Sequence, residues 1–183
     1  MILLIPIPSE QTKGIPVILI GYFFVIGGFL LDVAGLCSRD WVVEKDGPYS
    51  YGILSYPKNM YSPHSWAVAG CWMMYVATVF CFVIFFIYGG LIRTAKTHGF
   101  GSELRKFYIS ISITSFINGT LILTTFILFA TGVSSFDSQN DQFEIGWSAY
   151  VSLAAAITYL VGVPFFVFIT VKFCASKRLA SHS

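Results

Sequence analysis

Hydrophobic residues in this chain fall into four long runs, at residues 15–36, 66–92, 107–131 and 147–173, with polar segments between them. A helix needs about 20 residues to cross the hydrocarbon core of a bilayer, and each run is at least that long. A helix also satisfies its own backbone hydrogen bonds, as a segment inside lipid must. The pattern therefore predicts one membrane domain over residues 1–183, with four transmembrane helices at these runs.

The segment between the first two runs, residues 37–65, carries a different pattern. The residues from Trp41 to Val43 favour a strand, Asp46-Gly47 is a strong turn signal, and a second strand returns from Tyr49. A lone hairpin is only marginally stable, so it must pack on the helix ends, and residues 141–145 offer a further edge strand. The predicted fold class is a membrane all-α four-helix bundle with a small extracellular β-sheet.

The composition agrees with a membrane location. Hydrophobic residues make up 56% of the chain and charged residues 11%, whereas about a quarter of an ordinary soluble domain is charged. A soluble fold would need four entirely apolar core helices, which disfavours that alternative. The net charge is only +2, and the basic residues are spread over three short segments instead of one patch, so no nucleic-acid partner is expected. Membrane lipids are the predicted surroundings.

Lysine and arginine set the orientation. Eight of the 11 basic residues lie before the first run, in the loop 93–106 or at the C-terminal end: Lys13, Arg93, Lys96, Arg105, Lys106, Lys172, Lys177 and Arg178. The positive-inside rule places these segments in the cytosol and residues 37–65 and 132–146 outside. The apolar start lacks a basic n-region, so the first run is interpreted as a retained anchor. We expect a multi-pass plasma-membrane protein with both termini cytosolic.

Asp32 is the one acidic residue inside a predicted helix. An aspartate in lipid costs free energy, so a partner is expected. Counting from the inner helix ends places Asp32 at the depth of Thr125, which shares a polar stripe with Ser110, Thr114 and Asn118. The first interpretation is a structural hydrogen bond between Asp32 and Thr125, and the alternative is a proton or ion path.

The sequence carries no catalytic or cofactor pattern. His64, His98 and His182 fall in three different segments, and neither a metal-binding nor a phosphate-binding motif is present. We therefore expect no enzymatic activity and no cofactor. Cys174 lies beside basic residues at the inner face and is a candidate for palmitoylation, although a chance thiol explains it equally well.

The four cysteines are predicted to be free thiols. Cys71 and Cys81 lie about 15 Å apart along one helix, which is too far for a disulfide. Cys174 is on the other side of the membrane from Cys37. A bridge from Cys37 to Cys71 would require Cys71 to rise out of the outer leaflet.

Trp41 is followed in the first outer loop by Gly52-Ile53-Leu54, and the fourth helix begins with GWSAYVSLAAAITYLVGVPFF. With four helices and both ends inside, these features resemble the claudin superfamily, which includes claudins, peripheral myelin and epithelial membrane proteins, and stargazin-like receptor subunits. The family's first-loop signature is Trp, then Gly-Leu-Trp, then two cysteines that form a disulfide on the loop's sheet. Here Leu54 stands where Trp is usual and both cysteines are absent. Aromatic packing must then hold the loop, with Gly52 and Leu54 turning back beside Trp41.

The resemblance implies a non-enzymatic tetraspan that acts in cell–cell contact or membrane organisation through its extracellular loops, with a membrane-protein partner or self-association. An auxiliary subunit of an ion channel or receptor, like the stargazin group, is the main alternative. A small transporter or membrane enzyme is a further alternative, because Asp32 has no assigned role. The missing disulfide counts against a rigid adhesive strand at a cell junction, so the first two roles stay open.

Overall fold

The computed structural model describes residues 15–45, 47–54, 64–98, 102–140 and 143–172. Most of them belong to four helices: α1 (Ile15–Cys37), α2 (Ser65–His98), α3 (Ser102–Asn140) and α4 (Trp147–Lys172). Each helix is long and apolar enough to cross a membrane. The four-helix part of the predicted fold class is therefore confirmed.

Two helices extend well beyond the apolar runs that predicted them. α2 has 34 residues and α3 has 39, because the adjoining polar segments contain no proline and the helical hydrogen-bond pattern continues through them. At 1.5 Å per residue α3 is about 58 Å long, so it projects beyond a hydrocarbon core of about 30 Å. Most of the segment 132–146, which was expected to be a loop, is consequently helical.

The helices pack in chain order, so that α1 and α3 each contact both α2 and α4 and lie diagonally across the bundle. The core between them contains large aromatic side chains, among them Tyr108 and Phe166, whose ring centroids are 6.3 Å apart. Phe23 and Phe86 are more than 70% exposed on the outer faces of α1 and α2. Apolar side chains outside as well as inside are what a bundle surrounded by lipid requires.

A row of glycines brings α1 close to its neighbours. Gly21, Gly28 and Gly35 recur every seven residues. A Cβ at Gly28 would lie 2.7 Å from the Tyr159 ring of α4, and one at Gly35 would collide with Ser152 Oγ of α4. A seven-residue repeat keeps one face of a helix toward its partner in left-handed packing. Small residues therefore set the seam between α1 and α4.

Three short strands form an antiparallel sheet at one end of the bundle, which we call the sheet end: β1 (Val42–Glu44), β2 (Ser50–Tyr51) and β3 (Phe143–Ile145). Their order is β2-β1-β3, and Val42 of β1 lies opposite Tyr51 on one side and Ile145 on the other. The hairpin and the further edge strand expected from the sequence are both present. Because β3 directly precedes α4, the sheet connects the first loop to the start of the fourth helix.

Candidate functional site

Trp41 fixes the sheet to the bundle. Its side chain is 0% exposed, and its ring centroid lies 5.0 Å from that of Phe129 on α3. Its Nε1–H donates a 2.7 Å hydrogen bond to the Gly35 carbonyl in the last turn of α1. The last four carbonyls of a helix have no partner within that helix. Trp41 therefore fills space in the core and also donates a hydrogen bond to a carbonyl that has no partner within α1.

The segment after β2 makes a second contact with the bundle. A Cβ at Gly52 would lie 2.7 Å from Arg39 Cα, so the close approach of these two backbones requires glycine. Ile53 is 1% exposed, and its carbonyl accepts a 3.3 Å hydrogen bond from the Tyr75 hydroxyl of α2. The first loop is thus attached to α2 as well as to α1 and α3.

The start of α4 holds the first loop from the other side through hydrogen bonds that we call the clasp, formed by Ser38, Asp40, Gly146, Trp147 and Ser148. Ser148 Oγ donates to Ser38 Oγ at 2.7 Å, and Trp147 Nε1–H donates to Asp40 Oδ2 at 2.5 Å. The Ser148 N–H donates to the Asp40 carbonyl at 3.2 Å. A Cβ at Gly146 would collide with that carbonyl, so this approach also requires glycine. The clasp therefore ties the first loop to the start of α4 without a covalent bond.

Two large hydrophobic side chains of the first loop are exposed at the sheet end, and we call them the outer patch: Tyr49 at 62% and Leu54 at 56%. Leu54, which was predicted to form the turn-back beside Trp41 together with Gly52, is exposed, and the adjacent Ile53 is the residue that is buried here. Arg39 and Glu144 are also exposed at this end of the molecule. Tyrosine is enriched at the energetic centres of protein interfaces, and polar and charged side chains form their rims.

A group of polar side chains lies inside the bundle, and we call it the central polar cluster: Asp32 of α1, Thr78 and Cys81 of α2, Asn118 of α3 and Tyr159 of α4. Cys81 Sγ donates to Asp32 Oδ2 at 3.0 Å and accepts from Asn118 Nδ2 at 3.1 Å. The Tyr159 hydroxyl lies 3.1 Å from the same sulfur. Thr78 Oγ1 also donates to Asp32 Oδ2, at 3.3 Å. All four helices therefore contribute a polar group to one buried site.

The predicted contact between Asp32 and Thr125 is wrong. Thr125 Oγ1 donates to the carbonyls of Leu121, at 3.0 Å, and Gly70, at 3.4 Å. The α3 residue at the depth of Asp32 is Asn118, about 10 Å below Thr125 along the helix axis. The predicted depths were counted from the first residue of each apolar run. Because α3 begins at Ser102, before its run, the first residues of the two runs do not lie at the same depth in the bundle.

The cysteines agree with the prediction wherever the structure describes them. Cys37, Cys71 and Cys81 are free thiols, the first exposed and the other two buried. Cys174, the predicted candidate for palmitoylation, lies outside the described residues. No group of three or more His, Cys, Asp or Glu side chains suited to a metal ion occurs in the described part of the chain.

Sequence reasoning missed Thr78, Cys81 and Tyr159 as partners of Asp32. They lie inside apolar runs and are residue types that membrane helices commonly contain, so no single position stands out. Spacing carried a signal for two of them, since Thr78 and Cys81 are three residues apart and share one face of α2. Only Asn118 belonged to the polar stripe predicted on α3.

Comparison with known protein families gives a match over almost the whole chain. Residues 10–181 match the family described as "Tight junction protein, Claudin-like", a range that includes all four helices and all three strands. The search of curated proteins gave no matching relative. The chain therefore belongs to the claudin-like family of tight junction proteins.

Proposed function

We propose that this claudin-like tetraspan is a non-enzymatic plasma-membrane protein that acts in cell–cell contact or membrane organisation through its outer loops. One observation carries the proposal: the outer patch, Tyr49 and Leu54, is exposed on a loop that is anchored to the bundle. Family membership supports the same class of role.

Anchoring matters because binding costs conformational entropy, and a patch that is already ordered loses less of it. Burial of Trp41 and the hydrogen bonds of the clasp tie the first loop to α1, α3 and α4. The missing disulfide, which counted against a rigid loop when only the sequence was considered, is therefore a weaker objection. Tyrosine is also one of the residue types enriched among the energetic centres of protein interfaces.

The proposal requires the sheet end to face outward and both termini to be cytosolic. The positive-inside rule supports this orientation, because several exposed basic residues lie at the opposite end of α2 and α3: Arg93, Lys96, Arg105 and Lys106. A tag within residues 94–103 and tags at both termini should be protected in intact cells, whereas a tag near Lys58 should be accessible. Antibody labelling of the 94–103 tag on intact cells would refute the orientation.

The contact role is tested by mixing two fluorescent populations of cells that do not otherwise adhere, both expressing the chain. We expect the protein to concentrate where two expressing cells meet, and we expect Tyr49→Ser combined with Leu54→Ser to abolish this at equal surface delivery. The matched control combines Leu19→Ser with Tyr22→Ser, two residues that are 62% and 46% exposed on α1, far from the sheet end. The control should behave as wild type. Concentration at contacts that survives the outer-patch change would contradict the proposal.

The auxiliary-subunit role predicts a different result in the same cells. Purification in mild detergent would then recover a channel or receptor subunit in constant proportion, without concentration of the protein at contacts. That outcome would replace the contact role with the auxiliary role, while leaving the claudin-like fold unchanged.

A further inference from the structure

The central polar cluster contains an acidic group whose charge has no opposite partner. Asp32 is 0% exposed, and its two hydrogen-bond donors, Thr78 Oγ1 and Cys81 Sγ, are both neutral groups. Among the described residues, no lysine, arginine or histidine forms an ion pair with it. A buried ionised carboxylate is costly unless a positive charge accompanies it.

The same cluster holds two buried oxygens without hydrogen-bond partners, Asp32 Oδ1 and Asn118 Oδ1. Both residues are 0% exposed, and both contact Cys81 Sγ through their other polar atom. An ionised carboxylate oxygen and an amide oxygen can only accept. While Asp32 is ionised, a group that satisfies both oxygens must therefore be electropositive.

We propose that the central polar cluster binds one small monovalent cation of the sodium class, with Asp32 Oδ1 and Asn118 Oδ1 as its ligands. Carboxylate, amide and hydroxyl oxygens are ligands for hard cations, and Thr78 and Tyr159 place two hydroxyl oxygens in the same cluster. The cluster supplies one negative charge, so a monovalent cation leaves it neutral, whereas a divalent cation would leave one uncompensated positive charge.

The cation would join directly two helices whose polar groups are otherwise connected only through Cys81 of α2. Asp32 is on α1 and Asn118 on α3, which lie diagonally across the bundle. A cation bound by both residues would hold α1 and α3 together. Because it binds the folded bundle and not the unfolded chain, the cation should stabilise the fold by mass action. This site is independent of the outer patch and of the proposed contact role.

The test measures the thermal unfolding midpoint of the purified full chain in lipid nanodiscs, over about a hundredfold range of NaCl with choline chloride keeping the ionic strength constant. For a single site above its dissociation constant, each tenfold increase in Na⁺ should raise the ratio of folded to unfolded protein about tenfold. The midpoint should therefore rise with the logarithm of the Na⁺ concentration. A midpoint that responds to pH but not to Na⁺ would overturn the proposal, since Asp32 would then hold a proton, and a midpoint that responds to neither would overturn it as well.

Variants separate this site from a general salt effect. Asp32→Asn keeps an acceptor but removes the charge, so it should abolish the Na⁺ dependence and be at least as stable as wild type in choline alone. If Asp32→Asn does not fold, Asn118→Leu provides the second test and should weaken the dependence. The control Thr125→Val removes a buried hydroxyl outside the cluster and should keep the full dependence. An unchanged Na⁺ dependence in either cluster variant would overturn the proposal.

Discussion

Replacing Trp41 with alanine tests how the three-stranded sheet is held on the bundle. The change removes a ring that is 0% exposed, and loss of a buried aromatic side chain typically costs about 3–5 kcal/mol. It also removes the donor to the Gly35 carbonyl, 2.7 Å away, and an unpaired buried acceptor costs about 1–3 kcal/mol. Both costs arise from the loss of one side chain, so the two free energies overlap and do not add. Even the lower figure of about 3 kcal/mol is large for three short strands, so the sheet should open before the helices separate.

Trypsin cleavage after Lys45, an exposed residue directly after β1, reports this opening. When opening and closing are fast, the cleavage rate follows the population of the open form. A loss of about 3 kcal/mol should raise the population of the open form, and with it the cleavage rate, roughly a hundredfold. The rate stops rising once the sheet is open in all molecules. The four spans should stay inserted, so the membrane-protected fragments should be unchanged.

Two further variants isolate the cause. Phe86→Ala removes an aromatic ring at a site on α2 that is 73% exposed, and it should leave cleavage after Lys45 unchanged. Trp41→Phe keeps most of the buried ring but loses the hydrogen bond, and its cleavage rate should fall between wild type and Trp41→Ala. If Trp41→Ala is cleaved at the wild-type rate, the sheet is not held by this side chain, and the proposed contact role loses its main support.

Three other outcomes follow from the packing. Gly28→Ala forces a methyl group into a tyrosine ring of α4 and should destabilise the bundle by about 1–3 kcal/mol, whereas Gly27→Ala has nothing within 4 Å and should be neutral or slightly stabilising in the same thermal unfolding assay. Ser148→Ala removes one hydrogen bond of the clasp, typically worth about 0.5–1.5 kcal/mol, and should speed the same trypsin cleavage about two- to tenfold. Gels run with and without reductant should show no intramolecular disulfide, and a bridge between Cys37 and Cys71 found by mass spectrometry would contradict the structure.

Much of the fold follows from patterns that the sequence displays locally. The apolar runs predict the helices because lipid leaves the backbone no other arrangement, and a large apolar side chain such as Trp41 beside a hairpin must be buried somewhere. Helix ends were harder to predict, since α3 continues through polar residues as far as Asn140. The glycine repeat at Gly21, Gly28 and Gly35 was visible in the sequence, but only the structure shows that the close approach is to α4 at two of these positions.

The partners of Asp32 were not predictable in the same way. Its contacts depend on how far one helix is shifted along another, and a single sequence contains no information on that shift. A displacement of two turns, about 11 Å, exchanges Asn118 for Thr125 without changing any local pattern. The exposure of Leu54 was not predictable either, because the sequence does not show which of two adjacent side chains, Ile53 or Leu54, packs against the bundle.

The position of β1 between β2 and β3 has a consequence for how the protein is made. Asp40 bonds to Trp147, which is synthesised 107 residues later, and β3 is made only shortly before it. Until then the nascent chain carries one unpaired edge of β1, and an open strand edge is a template for pairing with the wrong partner. Synthesis of β3 and α4 is therefore the step that closes this edge. A chain in which α4 fails to insert keeps this edge of β1 open and lacks the clasp.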